Sequence, residues 1–417
     1  MTYNGIQARR EKKMKDLSKY YSDLRASHGA KIAEATMDLH TLYNEDIYKW
    51  LAGLWDGEWG GFYYSNSARD NEGFYPDIES TGQALNSLTS FGIITSETPV
   101  PLGMQQKMIS FMQKKQDPDD GYFYHSQWGK DITTSRRARD LGNAVGVITR
   151  FGGKPLYPTA TERIAALSDE ERNSGESMIP DHLRSKESFL EYLEGLDING
   201  LVKPGNSYSM GHRIGAQTAE IIAAGLTDVC VDFLNSKQRP NGFWEDILDH
   251  GSSSGTMKIS CAYVALNRPF PNIMKAFDSA LEVLLADLPI GSITSIFNPP
   301  FSLLNFLEIM ERTGDTDNLM KAKARLLECG ADIIRVTRER LIPFKKPDGS
   351  FSYCPNSSSF WSQGKPVCIE NSYESDVNAN SLGNGSRART LRILGITPPE
   401  IFDKNDAKLF YEMCGEA

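Results

Sequence analysis

The chain has 417 residues, 40% hydrophobic and 24% charged, a composition of globular proteins that excludes collagen-like and disordered classes. Lys and Arg number 45 against 54 Asp and Glu, a net charge of −9, so a nucleic-acid partner, bound largely through phosphate neutralisation by basic groups, is not expected. No window approaches the roughly 18 uninterrupted apolar residues of a membrane span, and the basic start MTYNGIQARREKKMKDL lacks the apolar stretch of a secretory signal.

A long helical N-terminus is expected from about Ile6 to Trp55. The aromatic loop WDGEWGGFYYSNSARDNEGFYP comes next, and DIESTGQALNSLTSFG then opens a helix at Asp77. An amphipathic helix over Leu102–Gln116 runs into QDPDDG, breaks at Pro and Gly, and passes through YFYHSQWG to a helix starting near Thr134. Pro155–Pro180, rich in Thr, Ser, Glu and Gly, reads as an insertion over one rim. Helix is expected again over His182–Leu196, from near Ser209, and over Leu226–Gln238. There the break repeats as KQRPNG, FWED and a helix starting near Gly255. Pro271–Asp287 is helical. The next helix starts near Thr294, where Pro299 and Pro300 should break or delay it and leave Asn298 in an irregular rim segment. Asn318–Leu341 leads to a degraded copy, FKKPDGSFSY, then to a helix near Ser375 and a closing helix over Pro398–Cys414.

The recurring unit of helix, Gly/aromatic loop and helix repeats every 40 to 70 residues or so, roughly the period of stacked hairpins. Sustained apolar/polar alternation is missing, so little β-sheet is expected. Six helices that follow such loops, each alternating with another, predict an all-α (α/α)6 toroid. The prediction is one domain over 1–417, with 1–55 as an extension packing on or closing the outer ring. The QDPDDG–YFYHSQW and KQRPNG–FW segments resemble the QW-type repeats of terpenoid cyclases and protein prenyltransferases, and the loop logic is similar to that of toroidal polysaccharide lyases. The resemblance implies a barrel of inner and outer helices around a cavity. It does not fix the reaction, because one fold hosts many chemistries.

In such a barrel the first turns of the inner helices, with free N–H groups and a positive dipole end, ring one cavity mouth. Asp77 is placed to N-cap the first, with Glu79 in its first turn; capping alone explains both. DIES also resembles the acidic DxDD signature of class II terpenoid cyclases, with Ser80 in the last acidic position, a departure that counts against alkene protonation. The literal DPDD at Asp117–Asp120 follows an outer helix and reads as a turn. On the second helix Arg136, Arg139 and Asp140 share a face, as a solvated ion-paired surface or as a polar cavity wall. The third opens with Tyr208, His212 and Arg213. An imidazole moves protons near neutral pH, which makes His212 the general-base candidate and Tyr208 its acid partner. Lys258, Asn298, Asp376 and Asn378 mark the remaining three helices, each explicable alone by capping or exposure.

Together, Arg136, Arg139, Arg213 and Lys258 predict a positive cavity shared with carboxylates Asp77, Glu79, Asp140 and Asp376. Trp59, Tyr75, Trp128 and Trp244, among other loop aromatics, are expected at its mouth, where sugars stack. Nucleotide, hydrolase-elbow and zinc-protease motifs are absent, and neither cofactor nor metal is expected. The six cysteines read as reduced thiols of a cytoplasmic protein, with Cys354 and Cys368 able to pair only after export. The leading expectation is a carbohydrate-active enzyme, lyase or hydrolase, acting on an acidic oligosaccharide. As a lyase it uses His212 and Tyr208 with Arg136, Arg139 and Arg213 binding carboxylate; as a hydrolase it uses two of the four acids. The alternatives are a terpenoid-cyclase-like enzyme with Asp77 and Glu79 as acids, and a non-catalytic glycan or peptide binder. No membrane partner is expected, and the oligomeric state stays open.

Overall fold

Amphipathic segments punctuated by Gly and Pro produce a predominantly helical chain in the computed structural model, which describes residues 16–168, 170–171 and 179–416. Three helices come first: α1 (Ser18–His28), α2 (Ala30–His40) and α3 (Asp46–Gly53). The helical N-terminus expected from about Ile6 to Trp55 is helical in its described part, as three helices rather than an unbroken one: Gly29, at φ 85°, separates α1 from α2, and Ile6 itself lies outside the described residues. Next come α4 (Asn66–Asp70), α5 (Ile78–Phe91) and α6 (Leu102–Gln113). The middle of the chain forms α7 (Thr134–Arg150), α8 (Ala160–Ala166), α9 (Lys186–Glu194), α10 (Asn206–Ala216), α11 (Thr218–Ala223) and α12 (Thr227–Lys237). Then follow α13 (His250–Leu266), α14 (Ile273–Leu285), α15 (Thr294–Thr313), α16 (Thr316–Glu328) and α17 (Gly330–Leu341). The last two are α18 (Val377–Ile393) and α19 (Lys404–Met413). Among the described residues, strand is confined to two antiparallel ribbons, β1 (Trp55–Asp56) with β2 (Gly61–Phe62) and β3 (Trp361–Ser362) with β4 (Lys365–Pro366).

The six helices expected to follow the loops are α5, α7, α10, α13, α15 and α18. Three begin where the pattern puts them, α5 directly after its N-cap Asp77, α7 at Thr134 and α15 at Thr294. α13 begins earlier, at His250, because Asp249 and Ser252 form a reciprocal capping box upstream of Gly255. α15 overturns the expected break, since Pro299 and Pro300 lie inside a continuous helix and Asn298 is helical and buried. Packing by α13 on one flank and α18 on the other holds the helix despite the two missing N–H donors, a case of tertiary context overriding propensity. The helix expected over Asn318–Leu341 is two, separated at Cys329.

α5 packs on α7, α7 on α10, α10 on α13, α13 on α15, α15 on α18, and α18 returns to α5. Outside this cycle α6 lies against α7, α14 and α16 against α15, and α17 against α18. The N-terminal helices join from outside, α2 against α17 and α3 against α19. The tightest seam is α10–α13. A Cβ at Gly255 would collide with the side chain of Ser207, and one at Gly211 would meet Ile259 Cγ1 at 2.9 Å. The repeated loops turn on glycine for one reason. Gly121 and Gly242 have φ of 75° and 84°, and backbone from Pro158–Ala160 and Lys275–Ala276 occupies the space a Cβ would need. Gly60 and Gly349 repeat the arrangement against Lys107 and Asp46.

Candidate functional site

A cavity of about 890 Å³ lies among the six helices of the cycle; α5, α7, α15 and α18 line it with their N-terminal halves, α13 with its middle, and α10 along most of its length. Gln83 comes from α5, Thr134, Ser135 and Arg139 from α7, and Tyr208, His212 and Arg213 from α10. Met257, Lys258 and Cys261 come from α13, Thr294, Phe297, Asn298 and Phe301 from α15, and Asn378, Ser381 and Leu382 from α18. Tyr192, Tyr353 and the β3–β4 ribbon, with Trp361, Ser362, Gln363 and Gly364, complete the wall. The fully charged lining side chains are Arg139, Arg213 and Lys258, and no carboxylate is among the lining residues. A chain that is acidic overall has concentrated positive charge here.

The expected carboxylates sit behind that wall. Asp77 N-caps α5, accepting from the Ser80 N–H at 3.0 Å and from its hydroxyl at 3.1 Å. Arg136 is wholly buried and donates to Asp77 (2.5 Å) and Asp140 (2.9 Å), with Glu79 Oε2 at 3.6 Å. Arg139 pairs with Glu79 and carries the network forward to the cavity. Burial works against ionisation of Asp77, but Arg136, His125 and the Ser80 hydrogen bonds outweigh it and hold the carboxyl below its ordinary range. Asp140 goes the other way. Burial pushes it up to about 7, with Arg136 only partly opposing and the neighbouring Asp77 adding to the rise. Three carboxylates (Asp77, Glu79, Asp140) face two guanidiniums (Arg136, Arg139), so a proton on Asp140 makes the buried cluster neutral.

His212 and Tyr208 stack on one face of α10, their rings parallel within 10° and 6.2 Å apart. The Lys258 ammonium lies 5.3 Å from the Tyr208 ring centre. Among the described residues neither Lys258 nor Arg213 has a carboxylate partner. Burial, then the charges of Lys258 and Arg139, lowers the His212 imidazole to about 3, so the ring is neutral at pH 7.

Of the expected residues, the structure brings Arg139, Tyr208, His212, Arg213, Lys258, Asn298 and Asn378 onto one cavity. It does not bring Asp77, Glu79, Arg136, Asp140 or Asp376 to its surface. Asp376 is buried as the N-cap of α18, accepting from Ala379 N–H at 2.7 Å and Tyr353 N–H at 2.8 Å, and burial raises it to about 7. The expected aromatics also fall elsewhere. Trp244 is fully buried against Phe270 and Tyr263, Trp128 covers Arg136 and His125, and Trp59 packs on Tyr75 at the surface. The cavity's own aromatics are Tyr192, Tyr208, Phe297, Phe301, Tyr353 and Trp361. Five of these, and Gln363, were not anticipated. The ribbon carries little local signal: only Gly364 of its turn is a residue such hairpins favour, and glutamine before it is not.

Among the described residues no group of three His, Cys, Asp or Glu is placed to hold a metal ion, all six cysteines are free, and no helix is long and apolar enough to cross a membrane. No protein-family model matches the sequence, and no curated protein matches it. Among solved structures, a protein from Actinoplanes aligns at 14% identity over 87% of this chain and 99% of its own, with a TM-score of 0.41.

Proposed function

We infer that the cycle of six helices is the inner ring of an (α/α)6 toroid, and that the protein cleaves a uronate-containing oligosaccharide by β-elimination. The observation that carries this reading is the charge of the cavity: three cations, a neutral imidazole and three phenols, with no carboxylate. Arg139 and Lys258 bind the uronate carboxylate, and neutralising it acidifies the C–H beside it. His212 takes that proton, the bond to the glycosidic oxygen breaks, and Tyr208 protonates the departing oxygen. The bound carboxylate also offsets the two cations that depress His212, so substrate strengthens the base it needs.

Hydrolysis fits less well, because it requires two carboxyl groups flanking the scissile bond, and Asp77, Asp140 and Asp376 are committed to buried partners. An acid-initiated cyclisation through Asp77 and Glu79 meets the same objection. The test is a screen of uronate oligosaccharides followed in two ways, by ultraviolet absorbance of the unsaturated product and by new reducing ends. Elimination produces both signals. Reducing ends without absorbance would make the protein a hydrolase, and saturable binding with neither would make it a glycan-binding protein. On an eliminated substrate, His212→Ala is expected to lower kcat by about 10²-fold with the Tm little changed.

A further inference from the structure

The β3–β4 ribbon reaches over α10 and ends in the two-residue turn Gln363–Gly364. Both turn residues have positive φ, 51° and 84°, as in the mirror-image turns that suit short hairpins and favour Asn or Gly. Glutamine is a poor choice for the first of these positions, since its Cβ disfavours a left-handed backbone. Strained residues of this kind gather where a side chain has a task. Here Gln363 Oε1 lies 2.7 Å from His212 Nε2. The ribbon is held from several sides. Ser362 donates to Glu79 at 3.3 Å, its carbonyl accepts from Arg136 at 3.5 Å, and Lys365 pairs with Asp131 at 2.7 Å. The buried network of charges thus anchors the ribbon that carries Gln363.

We propose that Gln363 is a positioning residue for His212: its amide oxygen accepts the Nε2 proton, which fixes one tautomer and leaves Nδ1 as the only basic atom of the ring. A neutral imidazole has one donor and one acceptor nitrogen, and the partner of one nitrogen sets the role of the other. The charged and titratable groups facing the ring are Tyr208 on its own helix, Lys258 from α13 and Arg139 from α7. Neither cation accepts a proton, so in this surround the amide oxygen of Gln363 selects the tautomer. As a step in elimination this rests on His212 being the base; as a statement about the ring it does not.

The experiment is nitrogen NMR of the full chain labelled at histidine, with the His212 signals identified by their loss in His212→Ala. The wild-type ring is expected to show a protonated Nε2 and a bare Nδ1, and to stay neutral until the pH approaches 3. Gln363→Gly relaxes the turn while removing the acceptor, and should yield a mixture of tautomers. Gln363→Glu keeps an acceptor and should restore the single tautomer, while its carboxylate moves the titration up by about 1 to 3 pH units. A wild-type ring protonated at Nδ1, or a Gln363→Gly spectrum identical to wild type, overturns the proposal. No substrate is involved, so these spectra in a protein without elimination activity would refute only the proposed reaction.

Discussion

Arg136 has no access to water, and three carboxylates converge around it. Removing a partner from such a cluster leaves buried charge uncompensated, typically at about 3–5 kcal/mol. Arg136→Met is therefore expected to destabilise the protein by that amount in denaturant unfolding, and a loss under about 1 kcal/mol would mean the cluster is solvated. Asp140 makes the same network pH-sensitive. Its carboxyl rises from 3.8 to about 7 on folding, so the native state holds a proton that the unfolded chain has already released. The resulting stabilisation is complete below about pH 4 and is lost as the pH climbs to about 7. Wild-type Tm should accordingly fall relative to Asp140→Asn between those values, and parallel profiles would contradict the shift. The sequence shows why half of this was readable. Arg136 and Asp140 at i and i+4 announce a pair, and Asp77 before Ser80 announces a cap. That all three meet across 59 positions, from Asp77 to Arg136, depends on the docking of α5 on α7. No local spacing reports that docking, so residues expected in the cavity proved to be the scaffold behind it.

Helix identities were more legible than helix starts. Apolar spacing and the Gly breaks mark α5, α7, α10, α13, α15 and α18, yet α13 starts at a capping box upstream of Gly255, where the pattern places its start. The two prolines of α15 were misleading because the rule against them describes an isolated helix, and α15 is clamped by neighbours. Serine and glycine in α10 and α13, unremarkable as composition, are what let these two helices approach closely. Gly255→Ala places a methyl against Ser207, and overpacking of this kind costs about 1–3 kcal/mol. The expected result is a lower midpoint in urea with an unchanged slope. If the variant matches wild type, the seam has room that the glycine contacts deny.

At the scale of the molecule, acidic net charge and a cationic cavity oppose each other. A ligand carrying negative charge is repelled by much of the surface and drawn to one place, so its binding should weaken with salt while the chain's stability changes little. For a uronate substrate, KM is expected to rise between low and physiological ionic strength at nearly constant kcat. A KM independent of salt would remove the cations from recognition. The repeat made the helical architecture readable, because the same turn recurs with the same glycine. The cavity's chemistry is harder to read, since it is assembled from six helices and a ribbon that lie far apart in the sequence.

The bond from Gln83 to Asn378 spans 295 positions of sequence, and it joins α5 to α18 where the cycle closes. During synthesis at roughly 5–20 residues per second, α5 waits about 15 to 60 s for that partner. Throughout the wait, faces of α5 and α15 that α18 will later cover remain open to any other apolar surface nearby. The order of manufacture thus gives the last of the six helices a hold over the two ends of the cycle, since neither α5 nor α15 is fully flanked until it arrives.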